Sequence, residues 1–411
     1  MSEPHVDAAP RSWPVYAGGR GMFVAAVVGG VGLLATGLLG LGGGREGARQ
    51  ALASYLLGFL YWVGISVSAL ILLGTFHAAG ARWMVVLRRA LELMGASVGI
   101  FVPLFLPVVL GLKLLYPWAD FDTWVSTLPE HAQHAMHVKH AWFSLPFFAV
   151  RQVLYFGAWV GVAELQYRWS RAQDGGQAPL LTRRQRVLGP ASLPLLALTL
   201  TFASVDWVMS LDPLFFSTIY GVYYFAGSFL AALAVWTVAA VRARGEGEFG
   251  ALVTGEHLHS LGKLLLGFTV FWAYIAFSQL LLTWIANLPE EVTYYILRWE
   301  GGWGRWSLLL LGTHFGVPFL LLLPRGRKRS RPYLLFVCGW LLAVHAVDLY
   351  WLVMPSFRVG TAMAPRLSDV TALVGVGGVA VAFGLWRARG RYSVPVADPF
   401  LGDSLAYTQP L

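Results

Sequence analysis

The chain has 411 residues, 57% of them hydrophobic and only 12% charged, where soluble domains carry about 25% charge. With a mean hydropathy of +0.62 and aromatics at 14%, this excludes a soluble enzyme or a disordered chain and predicts a polytopic membrane protein. The net charge of +9 is no signal of nucleic acid, because Arg and Lys gather in alternate loops, as they do in membrane proteins.

Ten apolar stretches are predicted as spans, each long enough for a hydrocarbon core of roughly 30 Å. The first, 21–41, carries Gly29, Gly30, Gly32, Gly37 and Gly40, a composition suited to close helix packing. Its length and the polar stretch before it argue for a retained span rather than a cleaved signal. Spans 2 to 5 are read at 52–75, 91–113, 141–163 and 187–210. Pro103, Pro107 and Pro146 fall in the third and fourth, which neighbouring helices make tolerable. Spans 6 to 10 follow at 215–241, 260–286, 305–323, 333–353 and 369–387. Residues 1–411 read as one polytopic domain.

Counting Arg and Lys, 20 fall in the two termini and the loops after even-numbered spans, and 8 in the loops after odd-numbered spans. This bias places both termini in the cytoplasm. The opposite loops, 114–140 and 287–304, are acidic and aromatic, suiting either interfacial anchors or a docking face for an extracytoplasmic partner.

Ionisable residues inside spans are costly and therefore mark function by default. One stripe of span 4 holds His140, Ser144, Arg151 and Tyr155; span 5 holds Thr199, Asp206 and Ser210; span 6 holds Ser217, Tyr220, Tyr224 and Ser228. Span 7 holds Glu256, His259, Lys263, Tyr274 and Ser278. His314 lies near the middle of span 8, and His345 and Asp348 are three apart in span 9. Glu92 and Glu164 stand at the inner ends of spans 3 and 4. Glu92, Glu164, His259 and Lys263 are expected in the cytoplasmic half, Arg151 and His314 near the middle, and Asp206, His345 and Asp348 in the outer half. Such a ladder suits a proton path; the competing reading is a set of ion pairs holding helices in register. His131, His134, His137 and His140 recur at steps of three, which drift around a helix and do not make one metal-binding face. His314 and His345 could in principle hold a haem. The single cysteine, Cys338, excludes an internal disulfide, a cysteine-held cluster and a CxxCH haem attachment. No metal site, catalytic triad or nucleotide loop is predicted.

Two stretches carry a resemblance. Residues 201–234 read TFASVDWVMSLDPLFFSTIYGVYYFAGSFLAALA, and residues 258–291 read LHSLGKLLLGFTVFWAYIAFSQLLLTWIANLPEE. Together they resemble the ActF-type membrane subunit of alternative complex III, a bacterial quinol:electron-acceptor oxidoreductase. The resemblance implies an all-α integral membrane fold of the polysulfide-reductase-anchor (NrfD-like) type. Spans 2–5 (52–210) and 6–9 (215–353) would form two four-helix bundles, with spans 1 and 10 peripheral. It further implies a bacterial inner-membrane subunit with no redox centre of its own. Its partners would be membrane lipid, a related quinol-binding membrane subunit, an iron–sulfur subunit, and multihaem and monohaem cytochromes c. Quinol, c-type haems and iron–sulfur clusters would sit on those partners, and this subunit would supply structure and a proton path rather than catalysis.

Asp206, Asp212, Lys263, Tyr274, Ser278, Gln279, Asn287, Glu290 and Glu291 sit in the matching motifs. The chain departs from the pattern at Ser260, where an acidic residue often stands, and at Leu280, where an aromatic one does; Glu256 or His259 would then replace the acidic group. Two other readings compete. In one, this subunit itself binds and oxidises quinol through Asp206, His345 or Asp348. In the other it is a secondary transporter, which predicts paired Gly/Pro interruptions in matching halves; none is evident.

Overall fold

The structure, a computed structural model, describes residues 15–16, 19–176, 178–243, 252–300, 302–358 and 363–409. The fold is all-α. Among the described residues the sole β feature is an isolated bridge between Val15 and Tyr392. Among the described residues ten helical segments are long and apolar enough to cross a membrane: Arg20–Leu41, Gly44–Ala78, Val85–Leu110, Leu145–Gln173, Pro179–Leu211, Tyr220–Ala243, Gly255–Ala286, Trp303–Leu322, Arg331–Ser356 and Leu367–Ala388. They are called spans 1 to 10 below.

Span 2 is the axis of the molecule. It is the longest helix, 35 residues, and it packs against spans 1, 3, 5, 6, 9 and 10. Its apolar residues are distributed all round, as burial on every side requires. Spans 3, 4 and 5 close a first bundle around it, and spans 6, 7, 8 and 9 form a second, with spans 5 and 6 in contact between the two.

Spans 1 and 10 lie together on the flank, and glycine makes their approach possible. A Cβ on Gly32 would stand 2.7 Å from the Gly375 Cα, and one on Gly378 would stand 2.5 Å from the Gly29 nitrogen. Thr36 and Thr371 then share a hydroxyl hydrogen bond of 2.8 Å across the seam. The glycines of span 1 thus work as helix-packing surfaces.

Prolines shape two spans differently. Pro103 and Pro107 divide span 3 into a helix Arg88–Ala96, a 3₁₀ turn and short helical pieces ending at Leu110, because each removes an amide donor. Pro146, expected inside span 4, instead occupies the first turn of its helix, which starts at Leu145; there its missing N–H is harmless.

The two ends of the molecule differ in charge. The basic end carries the loops around Arg82, 168–186 and 325–331. The aromatic end carries the short helices Phe121–Val125, Glu130–Lys139 and Pro289–Leu297. At the basic end the C-terminal stretch ties the bundles together. Asp398 pairs with Arg88, the Ser404 hydroxyl donates to the Trp83 carbonyl at 2.7 Å, and the Ser404 carbonyl lies 3.1 Å from His257 Nε2.

Candidate functional site

Each bundle holds a buried carboxylate in the half nearer the aromatic end. In the first bundle it is Asp206, 1% exposed. Arg151 on span 4 grips it with two parallel bonds, Nε to Oδ2 at 2.8 Å and Nη2 to Oδ1 at 2.9 Å. Tyr155, one turn along span 4, donates to Oδ2 at 2.9 Å. Trp207 donates to Gln152 at 2.8 Å, and the Arg151 guanidinium stacks 4.0 Å from the Trp142 ring. A fork-and-carboxylate pair with a tyrosine brace is a fixed arrangement of charge.

The second bundle is built differently. Asp348 on span 9 is likewise 1% exposed. Tyr223 on span 6 donates to its Oδ1 at 2.5 Å, and the Trp272 indole on span 7 donates to its Oδ2 at 3.1 Å. Among the described residues no Arg or Lys lies within ion-pair distance. The neighbouring titratable groups are imidazoles: His314 Nδ1 at 3.8 Å and His345 Nδ1 at 3.9 Å from Oδ2, beyond direct hydrogen-bond length. His314 and His345 are 0% and 1% exposed, and all four of their ring nitrogens lack a hydrogen-bond partner. His314 packs its ring 3.8 Å from that of Trp272.

Local backbone chemistry delivers His314 to this place. Residues Leu311–Gly316 of span 8 form a π-helical turn, a feature frequent at functional sites. Pro318 follows it and has no N–H to return to the preceding turn. The Thr313 carbonyl instead accepts the Trp340 indole at 2.8 Å. Gly227 on span 6 leaves room beside the cluster, since a Cβ there would stand 3.0 Å from His345 Cε1 and 3.1 Å from Asp348 Oδ2.

The remaining predicted groups are distributed away from this centre. Glu92 is buried between Arg88 at 2.8 Å and Arg89 at 3.4 Å, with Ser170 donating at 2.6 Å. Glu164 pairs with Arg387, and with Arg168 at 3.4 Å. Glu256 forms a bidentate pair with Arg329 at 2.9 and 3.0 Å. His259 Nδ1 meets Gln409 at 2.8 Å. Lys263 and Tyr274 point outward from span 7, Tyr274 at 65% exposure. His140 follows the helix Glu130–Lys139, with its ring against Phe121; it is not on the stripe of span 4. The His131 side chain lies outside the described residues. Among the described residues no group of three or more His, Cys, Asp and Glu is placed to hold a metal ion.

Sequence reasoning singled out Asp348, His314 and His345 but missed the two donors. The helical stripe of span 6 through Tyr220 and Tyr224 passes one position from Tyr223, the residue that reaches Asp348. Tyr224 instead donates to the Leu60 carbonyl at 2.7 Å. The polar residues of the 287–291 stretch prove to be helix punctuation. Asn287 takes the left-handed conformation that ends span 7, Pro289 opens the next helix, and Glu290 and Glu291 fall in its first turn.

A cleft of about 590 Å³ opens beside the centre on the outer face of the second bundle, with Tyr223, Trp272, Gln279, Leu280, Trp299 and Leu311 among its walls. Its inner side therefore includes both donors to Asp348.

Compared with known proteins, the chain matches no family model and no curated protein.

Proposed function

We propose that this chain is the membrane subunit of a quinol-oxidising electron-transfer assembly of the alternative complex III type, in which it carries no redox centre and handles protons. It would lie in a bacterial inner membrane with both termini cytoplasmic. There it would assemble with a related quinol-binding membrane subunit, an iron–sulfur subunit and c-type cytochromes. The reading is supported by the ten-span all-α architecture, the two quoted motifs and the contrast between the two buried carboxylates.

The single observation that carries it is the Asp348 centre. A buried carboxylate without a fixed cation is too costly to persist as a bare anion. In this reading a mobile proton would take the place of the missing cation, exchanged among Asp348, His314 and His345. Two imidazoles within 3.9 Å of one buried carboxylate suit a site at which a proton is loaded and unloaded. Oxidation of quinol in a neighbouring subunit would change the local field and move that proton. Arg151–Asp206, Glu164–Arg387 and Glu256–Arg329 serve in this scheme as fixed ion pairs.

The test is purification of the tagged chain in mild detergent, with subunit analysis and a reduced-minus-oxidised visible spectrum. Stoichiometric partner chains with a c-type haem signal support the assembly. A colourless, partner-free protein from membranes that retain the haem proteins overturns it. Within an isolated assembly, Asp348→Asn should lower the protons moved per electron.

A second reading is favoured by the cleft: quinol bound in this chain would stand against Tyr223 and Trp272. It predicts that Leu311→Trp, which fills the cleft, abolishes quinol oxidation, whereas the proton-handling reading predicts continued electron transfer.

A further inference from the structure

The basic end holds a second built cavity, of about 160 Å³, where a lone buried water needs only about 10–15 Å³. It lies where both bundles and the flanking pair meet. Leu93 of span 3, Tyr167 of span 4, Ala240 of span 6 and Leu385 of span 10 are among its walls. Tyr16 and the 390–393 stretch form its rim: the Tyr16 amide donates to the Arg391 carbonyl at 2.9 Å, and the Gly390 amide returns a bond to the Tyr16 carbonyl at 2.8 Å.

The polar lining is one-sided. Arg89 and Arg391 line the cavity, and among the described residues no acidic side chain does. Arg89 is 1% exposed. It gives Nη1 to Ser170 at 3.0 Å and Nη2 to Asp174 at 2.6 Å, while its buried Nε has no hydrogen-bond partner. Arg89 is thus fully charge-compensated, by Asp174 and by Glu92 at 3.4 Å, and its Nε is closed off from the cavity. Arg391 is exposed at the rim and pairs with no carboxylate among the described residues. An arginine at the mouth without a carboxylate partner among the described residues, together with apolar helix walls inside, selects an anionic oxygen group attached to an apolar body.

We infer that this cavity binds the phosphate group of an anionic membrane lipid, with its glycerol and first acyl carbons against the helix walls. The bound lipid would join spans 3, 4, 6 and 10 through one headgroup. Free inorganic phosphate shares the recognised chemistry but lacks the apolar body.

The experiment uses the full chain, purified and delipidated in a mild neutral detergent. Thermal midpoint and native mass spectrometry are followed on addition of phosphatidylglycerol, phosphatidylcholine or inorganic phosphate. Phosphatidylglycerol is expected to raise the midpoint by several degrees and to remain bound in the mass spectrum, while phosphatidylcholine does neither. Arg391→Glu should weaken phosphatidylglycerol binding at least tenfold. Ala243→Leu, which narrows the cavity without touching charge, should weaken it as well and guards against misfolding of the first variant. An equal midpoint shift from inorganic phosphate would overturn the lipid assignment and leave a soluble-phosphate site. No preference for phosphatidylglycerol over phosphatidylcholine, or equal binding by wild type and both variants, overturns the site altogether.

Discussion

Tyr223 and Asp348 share a 2.5 Å hydrogen bond at a carboxylate whose neighbouring bases are imidazoles, while Tyr155 braces a carboxylate already gripped by arginine. The two bundles thus use one motif, a buried aspartate with a tyrosine donor, in two electrostatic states. In the first the counter-charge is permanent, because a guanidinium stays protonated. In the second no guanidinium or ammonium lies within ion-pair distance among the described residues, and two imidazoles stand 3.8 and 3.9 Å away. Asp348→Asn should still fold, since its amide oxygen can accept from the Trp272 indole and its NH2 can donate to the Tyr223 hydroxyl, and under the proton-handling reading it should lower the protons moved per electron. The check is the proton-to-electron ratio of the reconstituted assembly, alongside an unchanged denaturation midpoint. An unchanged ratio would make the centre structural.

The first bundle should respond in the opposite way. Arg151→Met leaves Asp206 buried without its cation, and breaking such a pair costs about 3–5 kcal/mol. Replacing both partners, Arg151→Met with Asp206→Leu, should recover most of that loss, because a well-packed apolar pair avoids the desolvation penalty. Denaturation of the two single variants and the double variant in the same detergent closes the cycle. A double variant no more stable than Arg151→Met would contradict the ion-pair account.

The path by which His314 reaches Asp348 is also open to test. Trp340→Phe removes the indole donor from the Thr313 carbonyl and leaves that carbonyl unsatisfied inside the helix bundle. The expected cost is about 1–3 kcal/mol, with hydrogen-exchange protection falling across the π turn 311–316. Uniform protection with an unchanged midpoint would show that the turn is held by other means.

The spans were legible because twenty consecutive apolar residues have few other uses, and their centres fall where the hydropathy pattern puts them. The charged positions were legible as a set, and their pairing was not. Nothing in the spacing of Arg151 and Asp206, 55 positions apart, announces a bidentate bond, and the carboxylates of a ladder look alike until their neighbours are known. Depth gave no warning that Lys263 and Tyr274 face outward, because a helix stripe read from sequence has a period but no absolute rotation. The apolar run of span 4 begins at 141, four residues before the helix does, so His140 shares the pattern of the span without sharing its helix; Ser144 and Pro146 mark the first turn. The motif NLPEE carried a family resemblance, yet locally Asn287 and Pro289 act as stop and start signals.

The seam between spans 1 and 10 tests whether glycine is required there. In Gly32→Leu the new side chain must enter space occupied by the backbone of Gly375, whose Cα would lie 2.7 Å from the first added carbon. Overpacking of this kind costs about 1–3 kcal/mol or more, and the helices must separate to relieve it. That separation would also stretch the Thr36–Thr371 bond. Proteolysis or crosslinking between Thr36→Cys and Thr371→Cys should report a displaced span 1, while spans 2 to 9 keep their protection. Efficient crosslinking in the Gly32→Leu background would mean the seam has slack that the close approach does not suggest.

Lys139 offers a prediction in pH, at the aromatic end and outside the spans. It ends the helix Glu130–Lys139, its Nζ donates to the Pro213 carbonyl at 3.1 Å, and partial burial holds its ammonium below the usual lysine range, against the opposing pull of Asp212. Burial likewise pushes the Asp212 carboxyl upward, with Arg298 and Lys139 drawing it back. A lysine that gives up its proton earlier in the folded state leaves the unfolded chain with more protons bound between the depressed folded value and the ordinary lysine value. Stability therefore rises with pH across that alkaline window, and below it the charged lysine is a standing cost. In Lys139→Met that rise should disappear, and the variant should match or exceed wild type at neutral pH. Denaturation midpoints at pH 7, 8, 9 and 10 for both proteins decide it: parallel curves would mean that the Pro213 bond and the nearby carboxylate fully offset the burial of the ammonium.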